Sequence, residues 1–226
     1  MPSDREIAAH ADPELEQHFL VSAEKLSELI AAAGIQPTDD VLEVGAGIGT
    51  VARELPRSRS LTVIELDERL IGFLRRNVPH AKIVQGNALE VIQGVSFDVL
   101  IGNLPNSVTE SLIKLMPRLS FRTAILAVGE STDLGQLGSA FTWSEVTKIA
   151  GDDFLPPQPS VSRIVKVVPA RGSGHADSPI TGKLPALRIA CRDEGPATAD
   201  CDHQPLIAQD AYCHTHRAAR YPLLLL

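Results

Sequence analysis

At 226 residues with 44% apolar content, the chain is long enough to bury one sizeable core and need not hold two full domains. A formal net charge of −7 gives no global attraction to a polyanion, so contact with nucleic acid would have to come from a local basic patch. No apolar run is long enough to cross a bilayer, Leu223–Leu226 is far too short to change that, and no basic-apolar-small leader opens the chain, so a cytoplasmic protein is expected.

In chain order, Ser22 is placed to N-cap a helix through about Ala33, with Leu26, Leu29 and Ile30 on one face and Gly34 as the residue that stops it. Pro37–Asp40 turns the chain into a first strand, the apolar run from Val41 to Val44, which opens directly into Gly45, Gly47 and Gly49. Glycines at alternate positions let the backbone turn sharply and lie against a ligand where a Cβ would intrude. A short helix to about Leu55 leads to a second strand, Leu61–Leu66, and a helix over Arg69–Asn77 follows. The spacing then predicts a third strand at Lys82–Gly86, a fourth at Phe97–Gly102, a helix over Thr109–Leu119 and a fifth strand at Thr123–Val128. Phe141–Ile149 alternates apolar and polar residues as a strand does; Phe141 and Trp143 could line a substrate pocket or pack under the sheet, and for Trp143 packing is favoured.

Strands interleaved with helices at this spacing demand right-handed crossovers and a doubly wound, Rossmann-like α/β domain with a mainly parallel sheet. Ligands of such sheets bind at the carboxyl ends of the strands, and Gly45, Glu65, Gly86-Asn87 and Asn103 all fall at such ends. A glycine-rich turn is shared by nicotinamide, flavin and S-adenosylmethionine binders, so the neighbouring charge has to discriminate. Glu43, just before the loop, suits a cationic ligand better than a diphosphate, and S-adenosylmethionine carries a sulfonium and an amino group with no phosphate. Glu65 ends the next strand about twenty residues on, where a carboxylate meets ribose hydroxyls. The methyl donor is therefore favoured over a dinucleotide.

Directly after the fourth strand comes Asn103-Leu104-Pro105-Asn106. An amine conjugated to an aromatic ring is a poor nucleophile, because its lone pair is delocalised. A transferase must hold its N–H groups and push the nitrogen toward tetrahedral geometry. The Asn103 Oδ1 and the Leu104 carbonyl, fixed by the following proline, would supply two acceptors in a rigid arrangement. In-line attack on a sulfonium methyl then needs little beyond positioning. As a bland alternative, Asn and Pro are ordinary punctuation at a strand exit.

On these residues the chain resembles the ribosomal RNA adenine N6-dimethyltransferases, a family that includes housekeeping small-subunit enzymes and macrolide-resistance methylases. The resemblance runs through Gln17-His18-Phe19-Leu20, Glu43–Thr50, Glu65-Leu66-Asp67, Gly86-Asn87-Ala88-Leu89, Asn103–Asn106, and Phe154-Leu155-Pro156-Pro157 with Val161-Ser162. It covers about the first 169 residues, and the ordered set is far more specific than any member motif. It implies a class I methyltransferase fold over residues 1–169 and S-adenosylmethionine as cofactor. It also implies cofactor contacts at Gln17, His18, Leu20, Glu43, Gly45, Gly47, Gly49, Glu65, Leu66, Asn87, Ala88 and Asn103. Asn103, Leu104, Pro105 and Asn106 would form the catalytic loop, with Asn106 and Phe154 facing the substrate, an adenine amine of ribosomal RNA.

Several residues depart from the pattern. Asn106 stands where the family has Tyr or Phe, and losing a base-stacking ring forfeits roughly 1–3 kcal/mol per base unless Phe154 covers a face. Asn87 replaces the Asp expected to meet the cofactor adenine, although its amide oxygen still accepts a hydrogen bond. His18 replaces Asn, and nothing after Pro169 resembles the family's helical RNA-gripping domain.

From Ala170 to Leu226 the composition changes to a linker rich in Gly, Ser and Pro and then a tail, read as poorly ordered. Cys191, Cys201 and Cys213 lie there with His175, His203, His214 and His216, but no paired C-x-x-C knuckle occurs, so free thiols are favoured over zinc and no metal site is assigned. Arg53, Arg57, Arg59, Arg75 and Arg76 are read as solvated helix faces in preference to a phosphate-binding rim. Two functional classes stay open: an RNA adenine methyltransferase, favoured by the ordered motifs, and a small-molecule methyltransferase acting on a small aromatic or amine substrate. The acidic charge, Asn106 and the missing domain favour the second. A degenerate paralogue that binds the cofactor without turnover is a third.

Overall fold

A computed structural model of the chain describes residues 4–170, the first three of these by backbone alone. The linker, the tail and the cysteine and histidine residues considered for zinc lie outside the described residues. Helix α1 (Asp4–Ala9) precedes a short strand β1 (Phe19–Leu20), helix α2 (Ala23–Ala33) and strand β2 (Asp40–Val44). Then come β3 (Ser60–Glu65), α3 (Glu68–Asn77), β4 (Lys82–Gln85), α4 (Ala88–Val91), β5 (Val99–Asn103), α5 (Asn106–Leu115) and β6 (Thr123–Gly129). Strands β7 (Phe141–Ile149), β8 (Phe154–Leu155) and β9 (Ser162–Pro169) complete the described chain.

Seven strands form one sheet in the order β4-β3-β2-β5-β6-β9-β7, parallel from β4 to β6, with β9 inserted antiparallel between β6 and β7. The central strand β2 has Glu43 opposite Val63 of β3 and Ile101 of β5, which brings the three carboxyl ends to one rim. Alternation along the strands separates two cores. Val41, Val63, Val99 and Ile101 pack with Leu26 and Leu29 of α2 and Leu74 of α3, while Leu42, Val44, Ile64 and Leu100 pack with Leu112 and Ile113 of α5. Each such side chain contributes on the order of 1.5–3 kcal/mol by leaving water, so the sheet is anchored from both faces. No helix among the described residues is long and apolar enough to cross a membrane.

The expected elements form, with local adjustments that have local causes. Ser22 caps α2 by accepting the Lys25 N–H, and Gly34, at φ 56°, ends it in the left-handed conformation that favours glycine. The helix after Asn103 starts at Asn106, three residues earlier than the apolar period predicts, because Pro105 sits at its N-cap with extended backbone. Its far end tightens into a 3₁₀ turn, Met116–Arg118, around Pro117. The short helix predicted after the glycine loop is a single 3₁₀ turn, Ala52–Glu54.

Phe141 packs in the core, its ring stacked on Phe121 at 5.4 Å between centroids. Trp143 does not. It is exposed on the edge strand β7 and covered on one face by the Arg163 guanidinium, 5.3 Å from the ring centroid, because its side of β7 faces solvent. Of the arginines read as solvated helix faces, Arg57 and Arg59 lie in the loop before β3 and not on a helix; Arg59 pairs with Asp40 and Asp98, Arg53 with Glu54, and Arg76 lies over Phe73.

Candidate active site

A cavity of about 640 Å³ lies along the rim where β2, β3, β4 and β5 end. Gly45 adopts φ 69°, and a Cβ there would collide with Leu104 Cδ2 and press on the Asn103 carbonyl at 3.2 Å. The glycine thus lets the loop after β2 lie directly against the loop after β5. Gly47, at φ 57°, donates its N–H to Glu65 Oε2 at 2.6 Å, and a Cβ there would meet the Phe19 ring at 2.7 Å. Gly49 serves another purpose. Its added Cβ would strike Val78 and Leu74, so the third glycine admits α3 and its C-terminal turn, and it does not line the cavity.

Glu65 is held at the end of β3 by two backbone donors, Gly47 N–H on one oxygen and Asp67 N–H on the other at 2.8 Å. Each oxygen keeps a second lone pair for a hydroxyl donor. Burial raises its pKa above the ordinary carboxylate range, and those backbone hydrogen bonds oppose the shift. Glu43 is more extreme. It is 2% exposed, its Oε2 has no hydrogen-bond partner, and burial together with the Glu65 charge pushes its carboxyl up to about 8.

At the end of β5, Asn103 Nδ2 donates to the His18 carbonyl at 3.3 Å. A carbonyl oxygen only accepts, so the NH₂ must face it and Oδ1 turns away, available as an acceptor. The Leu104 carbonyl, the other member of the expected acceptor pair, accepts the hydroxyl of buried Thr109 at 3.1 Å. That bond takes one lone pair and leaves the other, so Thr109 orients the carbonyl without consuming it.

The chain before α2 folds over this rim. Gln17 Nε2 donates to Asp67 Oδ2 at 3.2 Å while its Oε1 accepts the Asp12 N–H, and Arg69 bridges Asp67 at 2.6 Å and Asp12 at 2.8 Å. Arg69 holds the Asp67 carboxyl below the ordinary carboxylate range. His18 Nδ1 lies 2.8 Å from the Pro156 carbonyl, so Nδ1 carries the hydrogen. Sequence reasoning gave Asp67 no task and missed Asp12, Arg69 and Thr109. Only the Asp-Glu-Arg run at 67–69, an N-cap followed by an acid, signalled part of this cluster.

Most of the predicted site residues meet on this cavity: Gln17, His18, Glu43, Gly45, Gly47, Glu65, Leu66, Asn87, Ala88, and Asn103 through Asn106. Three do not. Leu20 is wholly buried in the core, Gly49 packs α3, and Phe154 is 1% exposed opposite Leu20 in the β1–β8 pair, away from the cavity. A ring already buried under the sheet cannot cover a base. Asn87 is in place, but its amide oxygen caps α4 by accepting the Leu89 N–H at 3.0 Å, so only a second lone pair stays available. Asn106 Oδ1 accepts the Gly129 N–H at 3.1 Å, which turns its NH₂ outward at the junction with a smaller cavity lined by Glu130, Ser131, Ser160 and Val161.

The donor set fits S-adenosylmethionine. Among the described residues lining the cavity, Glu14, Glu16, Glu43 and Glu65 are acidic, and none is Lys or Arg. Such a wall disfavours a pyrophosphate and favours a ligand with net positive charge. Leu66, exposed although apolar, and Ala88 and Leu89 offer an apolar margin for a flat ring beside Glu65. Among the described residues, no group of three or more His, Cys, Asp or Glu side chains is arranged to hold a metal ion.

The model of the ribosomal RNA adenine dimethylase family matches residues 9–133, more than half of the chain. The chain belongs to that family. A ribosomal RNA small subunit methyltransferase A of Dehalococcoides mccartyi is 32% identical over 179 residues, covering 68% of this chain and 61% of the relative. A probable ribosomal RNA small subunit methyltransferase A of Methanosarcina mazei is 36% identical over 115 residues, covering 49% and 42%. The chain thus spans about three-fifths or less of the length of these relatives. Among solved structures, a dimethyladenosine transferase from Plasmodium falciparum superposes with a TM-score of 0.62 at 25% identity, over 67% of this chain and 63% of that one. The 23S rRNA methyltransferase ErmE superposes at 0.59 and 23% identity, over 68% and 70%, a likeness of fold. The fold is the α/β methyltransferase fold expected from the alternation of strands and helices. The match ends short of β7 and β9, so the antiparallel edge lies beyond the part that defines membership.

Proposed function

We propose that the protein is an S-adenosylmethionine-dependent methyltransferase that methylates the exocyclic amine of an adenine in ribosomal RNA. The observation that carries this reading is the contact between two loops: Gly45 seats the acidic cofactor floor directly against the Asn103–Leu104 acceptor pair. When bound, the cofactor supplies an electrophilic methyl on a sulfonium. The protein's own residues do the rest. Glu65 accepts hydroxyl donors, and the acidic wall stabilises positive charge. Asn103 Oδ1 and the Leu104 carbonyl accept the two N–H hydrogens of the incoming amine and localise its lone pair. Family membership supports adenine in ribosomal RNA as the acceptor. Incubating the protein with methyl-labelled cofactor and under-methylated small ribosomal subunits, followed by nucleoside analysis, tests the proposal. Label in N6-methylated adenosine is expected, and label absent from RNA overturns it.

One observation favours a second reading, a small-molecule acceptor. Asn106 presents an amide where the family resemblance expects a stacking ring, and its side chain is tied to Gly129. Phe154 is buried elsewhere. Label recovered in a small-metabolite extract and not in RNA selects this alternative.

A further inference from the structure

Among the described residues, the buried side-chain polar atoms without a hydrogen-bond partner are Glu43 Oε2 and Arg163 Nε. Arg163 lies beside Trp143, Thr132 and Glu145, away from the cavity. Glu43 faces the cavity from the middle of the sheet. One oxygen of a carboxylate there is cut off from solvent with no hydrogen bond in return, which disfavours the ionised form unless positive charge lies beside it.

The surroundings supply none. The adjacent strand β3 contributes the Glu65 carboxylate, the charged group that acts on Glu43. The opposite neighbour β5 presents Ile101 in register and the neutral amide of Asn103 two residues on. The segment before α2 adds Glu14, Glu16 and His18 to the wall, and no Lys or Arg lines the cavity among the described residues. Lys25, the lysine of α2, is engaged with Glu28 and Thr147. Positive charge must therefore arrive with the ligand.

We propose that Glu43 is a proton-exchanging residue of the cofactor site, a neutral acid in the ligand-free protein that loses its proton to solvent when the positive charge of the methyl donor enters. The proposal rests on the methyltransferase reading for the identity of the ligand. The balance is simple: the carboxyl O–H breaks, the proton passes to bulk water or buffer, and the carboxylate left behind is neutralised by the ligand's charge. Ligand affinity then carries a pH term, because part of the binding free energy is used to ionise Glu43. The consequence is selectivity. An uncharged ligand of the same shape gains nothing from displacing the proton, so Glu43 favours a charged methyl donor without holding a permanent anion in the core.

The decisive experiment is calorimetric titration of the full chain with S-adenosylmethionine at pH 7 in buffers of different ionisation enthalpy. A group titrating near 8 should release about 0.9 proton per site, and the apparent Kd should tighten roughly tenfold between pH 6 and 7 and level off above pH 8. Subtracting the same titration on Glu43→Gln removes contributions from other groups and from the ligand's own amine. The proton release should disappear with the variant, and its Kd should lose that pH slope. Binding with no difference in proton release between the two proteins overturns the inference while leaving the methyltransferase reading intact. A separate arm uses the demethylated product: release equal to that with the donor assigns the charge to the ligand's ammonium, and release confined to the donor assigns it to the sulfonium. Infrared spectroscopy of the ligand-free protein gives a readout independent of binding. A protonated-carboxyl band at pH 7 that is missing from Glu43→Gln supports the proposal, and no difference between the spectra overturns it. Failure of the cofactor to bind at all defeats the methyltransferase reading itself.

Discussion

The donor half and the acceptor half of the cavity are built by different means. On the donor side, backbone groups fix the chemistry: Gly47 and Asp67 N–H hold Glu65, and positive-φ glycines set the loop. On the acceptor side, side chains fix it, through Asn103 on the His18 carbonyl, Thr109 on the Leu104 carbonyl, and Asn106 on the Gly129 N–H. Backbone-built sites change only when the fold changes. Side-chain-built sites are retuned by one substitution.

The comparison breaks most severely at Asn103. Replacing it with Ala removes one acceptor for the amine, and methyl transfer should fall on the order of 10²–10³-fold while donor affinity changes only a few-fold. Single-turnover kinetics beside calorimetry check this, and an equal loss in both quantities would put Asn103 on the donor side instead.

Next in size is the contrast between glycines. Gly45→Ala forces φ 69° on an alanine and drives its Cβ into Leu104, so donor binding should weaken tenfold or more. Gly49→Ala should instead cost on the order of 2 kcal/mol in unfolding free energy, through the clash with Val78 and Leu74, with affinity retained by the folded fraction. Denaturant melts paired with binding measurements separate the two; identical profiles would erase the distinction.

Glu43 gives a pH-dependent effect of similar size. Its folded pKa is raised, so the native state binds more protons than the unfolded state between about 4.5 and about 8, and stability falls as pH rises through that window. Glu43→Gln should flatten this slope and stabilise the ligand-free protein at pH 8.5 by on the order of a few kcal/mol. Thermal melts from pH 5 to 9 measure it, and parallel curves for the two proteins would count against a neutral Glu43.

The smallest expected effect sharpens the acceptor side. Thr109→Val keeps the buried shape but frees the Leu104 carbonyl, lowering transfer up to about tenfold through a lost hydrogen bond of about 1 kcal/mol. Since Thr109 acts through another group, donor affinity should stay put and Thr109→Ser should restore transfer; a Ser variant as slow as Val would show that the hydroxyl has no positioning role.

Much of this was legible in the chain itself. The alternation of strands and helices, the α2 caps and the convergence of Gly45, Glu65, Asn87 and Asn103 on one rim follow from apolar period, glycine placement and the rule that parallel sheets bind at their carboxyl ends. A motif residue need not work through its own side chain. Leu20 and Phe154 belong to the motifs because they pair across β1 and β8, and Gly49 belongs because α3 needs the space. Trp143 followed a strand period that cannot tell the buried side of an edge strand from the exposed one.

The sequence by itself determined the α/β alternation, the left-handed turns and the placement of an acid before the loop, because these depend on residues close together along the chain. Tertiary structure alone decided that Phe19 closes on Gly47, that Asn106 is tied to Gly129, and that Glu43 is buried with an unpaired oxygen within reach of the Glu65 charge. Burial and electrostatic neighbourhood are properties of distant segments brought together, so the protonation of a carboxyl is fixed only once the sheet has formed around it.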